Sequence, residues 1–187
     1  MSDQCPPGID TYRQSDDVMF SAAVRAEQAC RGSREMYEHQ AAAGRFTQPL
    51  SADAIAFIGG RDSAFFATAS ADGQPYVQHR GGPPGFLKML DERTVAFAEY
   101  AGNRQYISIG NLAENGRSFM VLMDYAKQRR LKLWGRATVA GEALLLARLA
   151  DPAYSARIER AIVLTVLAWD WNCSDHIPRL VPAQAAR

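Results

Sequence analysis

The chain has 187 residues, of which 48% are hydrophobic and 22% charged, and this composition indicates a globular protein with a buried core rather than a disordered one. The formal net charge of +1 argues against a general binder of nucleic acid or of anionic membranes, because such proteins need a surplus of basic residues. The three cysteines and three histidines show no ligand spacing, which argues against a structural zinc site.

The expected compartment follows from the apolar segments. No window approaches the roughly 20 apolar residues that cross a bilayer. The N-terminus lacks the basic region and apolar run of a secretory signal. We therefore expect a cytoplasmic protein with reduced thiols and no membrane association.

The first third of the chain carries helix signals. Residues 16–30 have a modest apolar stripe at helical spacing, which predicts one helix. Ser33 and Ser51 are suitable N-caps for two further helices, and Gly44 and the pair Gly59-Gly60 would end them. Packing alone explains these helices, which would cover a sheet edge or a dimer surface.

Short apolar runs separated by turn residues follow and predict antiparallel strands. Asp72-Gly73 marks a hairpin, and Pro75 is tolerated as the first residue of its second strand. The near-continuous apolar run over 118–125 predicts a strand buried on both faces, whereas residues 130–139 alternate. The remaining predicted elements are strands over 64–69, 76–80, 86–90, 94–100 and 161–169, and a helix over 142–149.

Six or seven strands with short turns predict an α+β chain built on a closed or nearly closed antiparallel barrel. No linker or internal repeat interrupts the sequence, so we expect one domain over residues 1–187. Within it, residues 1–45 would form a helical extension, 46–170 the barrel core and 171–187 a tail.

A candidate anion site lies around residue 103. Gly102 predicts a turn, and Asn103 is a suitable N-cap for a helix that would end near residue 114. The free backbone N–H groups of that helix start, with Arg104 beside them and Arg80 on a preceding strand, would form a cradle for a phosphate. The alternative is that both arginines serve packing or solvation.

Several short pieces between residues 61 and 139 carry a resemblance through their order and spacing. They are Arg61-Asp62-Ser63, Ala67-Thr68-Ala69, Asp72-Gly73-Gln74-Pro75, Gln78-His79-Arg80-Gly81-Gly82-Pro83, Gly102-Asn103-Arg104-Gln105-Tyr106, Gly110-Asn111-Leu112, Asp124-Tyr125 and the run from Arg129 to Ala137. In these pieces the chain resembles the pyridoxamine 5′-phosphate oxidase-related family of FMN-binding split β-barrels.

The resemblance implies a split barrel that binds FMN between the two subunits of a homodimer. It implies an FMN-dependent oxidoreductase in which the flavin transfers electrons or hydride to or from a small-molecule substrate. Two alternatives stay open. The protein would be a flavin-binding protein without turnover, serving storage, sensing or protection, or the fold would hold haem or another planar ligand.

The resemblance also implies which residues contact FMN. The basic pair that holds the phosphate in the family becomes Asn103-Arg104 here, so Arg104 would supply the charge and the fork geometry. Arg130 or Gln78 would donate to the pyrimidine edge of the ring. The implied contacts are Gln78, His79, Arg80, Gly81, Asn103, Arg104 and Arg130, together with Trp171 and Asn172, which would reach the flavin of the partner subunit.

The C-terminal part departs from the family pattern. Residues 177–182 only faintly match the arginine- and histidine-bearing segment that grips pyridoxamine phosphate, so the family name does not by itself imply that substrate. Cys173 and His176 are spaced as a nucleophile and base would be, but no acyl-transfer motif surrounds them.

Overall fold

The computed structural model describes residues 16–171 and 175–180. The chain divides into two compact units, residues 1–48 and 49–187. The described part of the first unit is helical, with α1 (Asp16–Met19), α2 (Ala22–Cys30) and α3 (Arg34–Ala42). None of the helices in the described ranges combines the length and the apolar character needed to span a bilayer.

The helix predicted over residues 16–30 is broken between α1 and α2. Ser21 caps α2, because its hydroxyl oxygen accepts a hydrogen bond from the backbone N–H of Val24 at 3.3 Å. Phe20, at the break, is buried, and its ring centroid lies 5.5 Å from that of Tyr37 and 5.6 Å from that of Phe46. This aromatic trio is the small core of the first unit.

The described part of the second unit is a seven-stranded antiparallel sheet with three helices. The strand order is β2-β1-β5-β6-β7-β4-β3, so the sheet is open between β2 and β3. The elements are α4 (Ala52–Gly59), β1 (Ser63–Ala69), β2 (Pro75–Gly81), β3 (Lys88–Asp91), β4 (Thr94–Tyr100), α5 (Ile107–Glu114), β5 (Arg117–Asp124), β6 (Arg129–Ala140), α6 (Ala143–Leu149) and β7 (Ile158–Trp171).

The core of this unit lies inside the curled sheet. Phe66 of β1 and Phe97 of β4 are both fully buried and contact each other edge to face, with their ring centroids 5.4 Å apart. Strands β1 and β4 are not neighbours in the sheet order, so their contact shows that the sheet curls round on itself without closing. The prediction of an α+β antiparallel split barrel is confirmed.

Strand β5 is not buried on both faces, contrary to the prediction. Ser118, Met120, Leu122 and Asp124 are buried, but the residues between them are only half-buried. The apolar run therefore supplies one face to the core and leaves apolar side chains on the outer face of the sheet.

The helix predicted to begin at Asn103 begins instead at Ile107. The side chain of Asn103 accepts a hydrogen bond from the backbone N–H of Gln105 at 3.1 Å, which makes a local turn. Arg104 and Tyr106 follow with φ of 59° and 52°. Because these left-handed conformations cannot belong to a right-handed helix, residues 103–106 are a loop and the Asn103 cap is wrong.

Gly135 lies where β6 and β7 make an irregular pairing. The register shifts between Trp134 and Gly135, and a Cβ atom added at Gly135 would lie 2.1 Å from the backbone oxygen of Thr165. No side chain fits this approach, because the obstructing atom belongs to the backbone of the paired strand.

We predict that Gly135→Ala destabilises the protein by about 3 kcal/mol, since β6 and β7 must separate to admit the methyl group. Gly110→Ala is the matched control. Gly110 lies within α5 with nothing within 4 Å of an added Cβ, so alanine should be neutral or stabilising by up to about 1 kcal/mol. Chemical denaturation of both variants measures the difference, and equal stabilities would contradict this account of Gly135.

Candidate ligand-binding site

A cavity of about 360 Å³ lies where the end of β2 approaches the end of β4, the loop after β4 and the start of α5. Its volume falls within the roughly 300–1,000 Å³ of small-molecule sites. Six of the nine residues predicted to contact the cofactor line this cavity: Gln78, His79, Arg80, Gly81, Asn103 and Arg104.

The β2 residues do not all face the same way. Arg80 is buried and Gln78 half-buried, whereas His79 between them is exposed. The His79 ring lies edge to face with that of Phe65 on the neighbouring strand, with centroids 5.7 Å apart. Because strand side chains alternate between faces, Gln78 and Arg80 belong to the inner face, and His79 and Gly81 to the outer one.

Arg80 forms an ion pair with Glu99 across the gap between β2 and β4. Arg80 Nη1 lies 2.7 Å from Glu99 Oε2, and the two side chains are only 10% and 13% exposed. The guanidinium also lies 5.9 Å from the ring centroid of Phe97, which extends the core to the cavity. The two strands are not hydrogen-bonded to each other, so this ion pair connects separate parts of the sheet.

The pair is not fully satisfied by the protein. Arg80 Nε, Arg80 Nη2 and Glu99 Oε2 are buried and have no hydrogen-bond partner in the described part of the chain. The short Nη1–Oε2 contact is thus an ion pair whose angles are not those of a hydrogen bond. Buried polar atoms almost always have partners, so these three atoms are exceptions.

Gln78 is oriented by α5. The hydroxyl of Ser108, a buried residue in the first turn of α5, donates a hydrogen bond to Gln78 Oε1 at 3.3 Å. The amide oxygen of Gln78 thus accepts a hydrogen bond from Ser108, and the amide nitrogen donates none within the described residues. Gln78 can therefore donate to a ligand.

The rim of the cavity is the loop that contains Arg104. The whole segment 101–106 is exposed, and the guanidinium of Arg104 has no hydrogen-bond or ion-pair partner among residues 16–171 and 175–180. Two non-glycine residues of this loop, Arg104 and Tyr106, have a positive φ. Such strained backbone is concentrated at ligand sites, where the surrounding structure maintains it.

Tyr106 anchors the loop to β7. Its hydroxyl lies 3.2 Å from Glu159 Oε2, which accepts the hydrogen bond. Glu159 Oε1 lies 2.8 Å from Arg157 Nη2, and the guanidinium of Arg160 lies 5.5 Å from the Tyr106 ring centroid.

Tyr100 lines the cavity beside this loop. Burial raises the pKa of Tyr100, with smaller contributions from Tyr154 and Asp151, so Tyr100 keeps its proton at neutral pH.

Two of the other three predicted residues, Arg130 and Trp171, do not line the cavity of this chain. Trp171 packs edge to face on Phe57, with ring centroids 4.9 Å apart, and the guanidinium of Arg129 lies 4.1 Å from its ring centroid. Arg130 lies on β6, opposite Met123 of β5. Asn172 lies outside the described residues, as does Cys173.

Sequence reasoning did not select Glu99 or Ser108. Glu99 is the only acidic residue in the strand sequence Thr94–Tyr100, and strand alternation places it on the same face as Phe97. A lone carboxylate on an otherwise apolar face needs a buried partner, so this pattern was a usable signal for an ion pair. Ser108 carried no comparable signal.

Comparison with known proteins identifies the family. The sequence pattern of the family described as Pyridoxamine 5′-phosphate oxidase matches residues 50–183. The chain belongs to the pyridoxamine 5′-phosphate oxidase family. The matched segment contains every cavity residue described above.

Solved structures agree at the level of the fold. HupZ from Group A Streptococcus is 16% identical with a TM-score of 0.54, and the match covers 66% of this chain and 99% of that one. A candidate pyridoxamine 5′-phosphate oxidase from Lactobacillus delbrueckii is 18% identical with a TM-score of 0.50, covering 65% and 93%. At these identities the likeness shows a shared fold. No curated protein matches the chain.

Proposed function

We propose that the cavity binds FMN and that the protein is a flavin-dependent oxidoreductase acting on a small molecule. The observation that carries the proposal is that two arginines, Arg80 and Arg104, line one cavity of about 360 Å³. Membership of the pyridoxamine 5′-phosphate oxidase family supports it, as does a cavity volume suited to a small molecule.

We assign the cavity residues to the two ends of FMN. Arg80 and Arg104 would hold the phosphate, because guanidinium groups bind phosphate through paired N–H donors. Gln78 would donate from its amide nitrogen to the pyrimidine edge of the ring. Bound FMN would supply the electron or hydride transfer, and the chain would bind and orient it.

The two arginines differ in their charge balance. Arg80 is already paired with Glu99, whereas Arg104 has no anionic partner within the described residues. Most of the net attraction for a phosphate should therefore come from Arg104, although its exposure allows solvent to screen part of it.

The first expectation is that the purified protein carries FMN or takes it up with about one equivalent per chain. Heat release followed by chromatography against flavin standards identifies the cofactor. FAD alone, or no uptake from excess FMN, would contradict the proposal. A Soret band after reconstitution would favour the haem alternative, and stable FMN that no small-molecule donor or acceptor turns over would favour a protein without catalysis.

The second expectation is that Arg104→Ala weakens FMN binding by about 10- to 150-fold, the loss of a charge-assisted contact worth about 1.5–3 kcal/mol. Riboflavin lacks the phosphate, so its affinity should not change. Titration followed by flavin fluorescence measures both affinities.

Two further variants separate backbone strain, charge and fork geometry at this position. Arg104→Gly also removes the charge but relieves the cost of the positive φ, and it should weaken FMN as much as alanine does. Arg104→Lys keeps the charge without the fork and should lie between alanine and the native residue. Native FMN affinity in Arg104→Ala would remove Arg104 from the site.

We also propose that two chains form a dimer through an outer-face patch, defined as Phe65, Val77, Phe119, Val121 and Trp134. The register aligns them in rows across four strands, since Phe65 pairs with Val121, and Phe119 with Trp134. Phe65 and Val77 are 39% and 59% exposed in the single chain. A second copy would cover this patch, in agreement with the homodimer that the family resemblance implies.

The third expectation is a dimer by light scattering that carries two FMN. Phe65→Lys should shift the protein to monomer, because a further charge would then have to be buried between the two copies. Leu144→Lys is the matched control: Leu144 is 88% exposed on α6 and outside the patch, so this variant should remain dimeric. A native monomer loaded with FMN would contradict the dimer.

A further inference from the structure

We infer that Tyr106 is a positioning residue, whose hydrogen bond to Glu159 holds the loop of residues 101–106 in the conformation in which Arg104 lines the cavity. This role rests on the proposed function, in which Arg104 binds the FMN phosphate. Tyr106 acts through the loop and not through a contact with the phosphate.

Both ends of the loop are held at the start of β7. At the first end, the backbone N–H of Ala101 donates a hydrogen bond to the carbonyl oxygen of Arg157 at 2.8 Å. At the other end, the hydroxyl of Tyr106 donates to Glu159 Oε2 at 3.2 Å. Residues 102–105 between them are exposed and make no hydrogen bond or ion pair to the rest of the described chain, so the position of the loop depends on its two ends.

Backbone strain opposes this loop conformation. Arg104 and Tyr106 have φ of 59° and 52°, and residues with a side chain adopt this left-handed region only at a conformational cost. A loop with such a cost relaxes unless contacts hold it. The hydrogen bond of Tyr106 is such a contact, so its loss should release the segment that carries Arg104.

Glu159 is a rigid acceptor for the Tyr106 hydroxyl. Its side chain is only 13% exposed, and its second oxygen, Oε1, accepts a hydrogen bond from Arg157 Nη2 at 2.8 Å. The guanidinium of Arg160, also on β7, lies 5.5 Å from the centroid of the Tyr106 ring. Because the acceptor is a charged and mostly buried carboxylate, this hydrogen bond is stronger than one between neutral groups in water.

The first measurement detects loop opening without any ligand. Tyr106→Phe removes the hydroxyl and keeps the ring, and trypsin cleaves after Arg104 when the loop opens. We expect this cleavage to accelerate by about three- to tenfold, the equivalent of one lost hydrogen bond. Cleavage after Arg31, an exposed residue at the end of α2, is the internal reference and should not change.

The second measurement compares FMN with riboflavin by fluorescence titration. Tyr106→Phe should weaken FMN by about three- to tenfold, because the apparent affinity falls with the fraction of chains whose loop is in place. Riboflavin affinity should not change, since riboflavin has no phosphate for Arg104 to bind.

Tyr154→Phe is the matched control. Tyr154 is 42% exposed, against 41% for Tyr106, and its hydroxyl makes no hydrogen bond within the described residues. It does not line the cavity. This variant should keep the native cleavage rate and both native affinities.

A double-mutant cycle with Glu159→Ala tests whether the effect passes through this hydrogen bond. Glu159→Ala removes the acceptor, so it should reproduce Tyr106→Phe, and the double variant should behave like either single variant. Arg157 also loses its partner in Glu159→Ala, but its side chain is 68% exposed and water solvates it.

Several outcomes would overturn this role of Tyr106. Native cleavage after Arg104 in Tyr106→Phe, or additive effects in the cycle, shows that the hydrogen bond does not hold the loop. Faster cleavage with native FMN affinity, or equal losses of FMN and riboflavin, shows that the loop does not position Arg104 for a phosphate. In these cases the native protein still binds FMN and the proposed function stands. A native protein that binds no FMN overturns the proposed function, whereas the cleavage rates still decide whether the hydrogen bond holds the loop.

Discussion

The ion pair between Arg80 and Glu99 connects two strands that the sheet itself leaves apart. β2 is one edge of the sheet, and β4 is next to the other edge. The contact between Phe66 and Phe97 brings the same two regions together inside the core. Above that apolar contact the gap is lined by polar groups, because both charges of the pair belong to the cavity wall. A barrel that closed fully would have no such gap and no cavity at this place.

This arrangement separates two electrostatic tasks. Burying Arg80 requires a nearby anion, since an unpaired charge in a weakly polar environment is strongly unfavourable. Glu99 meets that requirement, with its Oε2 2.7 Å from Arg80 Nη1. Arg104 needs no partner because it lies in the exposed loop, where water solvates it. The cavity therefore has one buried cation that is paired with a carboxylate and one exposed cation that has no anionic partner among the described residues.

Local signals in the sequence predicted the elements well, and they failed where one residue serves two kinds of local structure. Turn pairs such as Asp72-Gly73 and capping residues such as Ser51 act within a few residues, and the structure confirms both. Asn103 caps helices and turns with the same side-chain oxygen, and the turn is formed here. The outer face of β5 was misjudged because apolar composition does not reveal whether a second surface covers it.

The sequence by itself determined the fold class and the family, because alternation, turn chemistry and motif spacing are local properties of the chain. The family resemblance, and not these local patterns, named the six residues that line the cavity. Only the tertiary structure decided that Arg80 faces Glu99, that Gln78 is oriented by Ser108, and that Arg130 and Trp171 lie away from this chain's cavity. Arg80 and Glu99 are far enough apart in sequence, and on strands distant enough in the sheet, that no local pattern couples them. Their contact depends on how far the whole sheet curls, which the packing of its core decides.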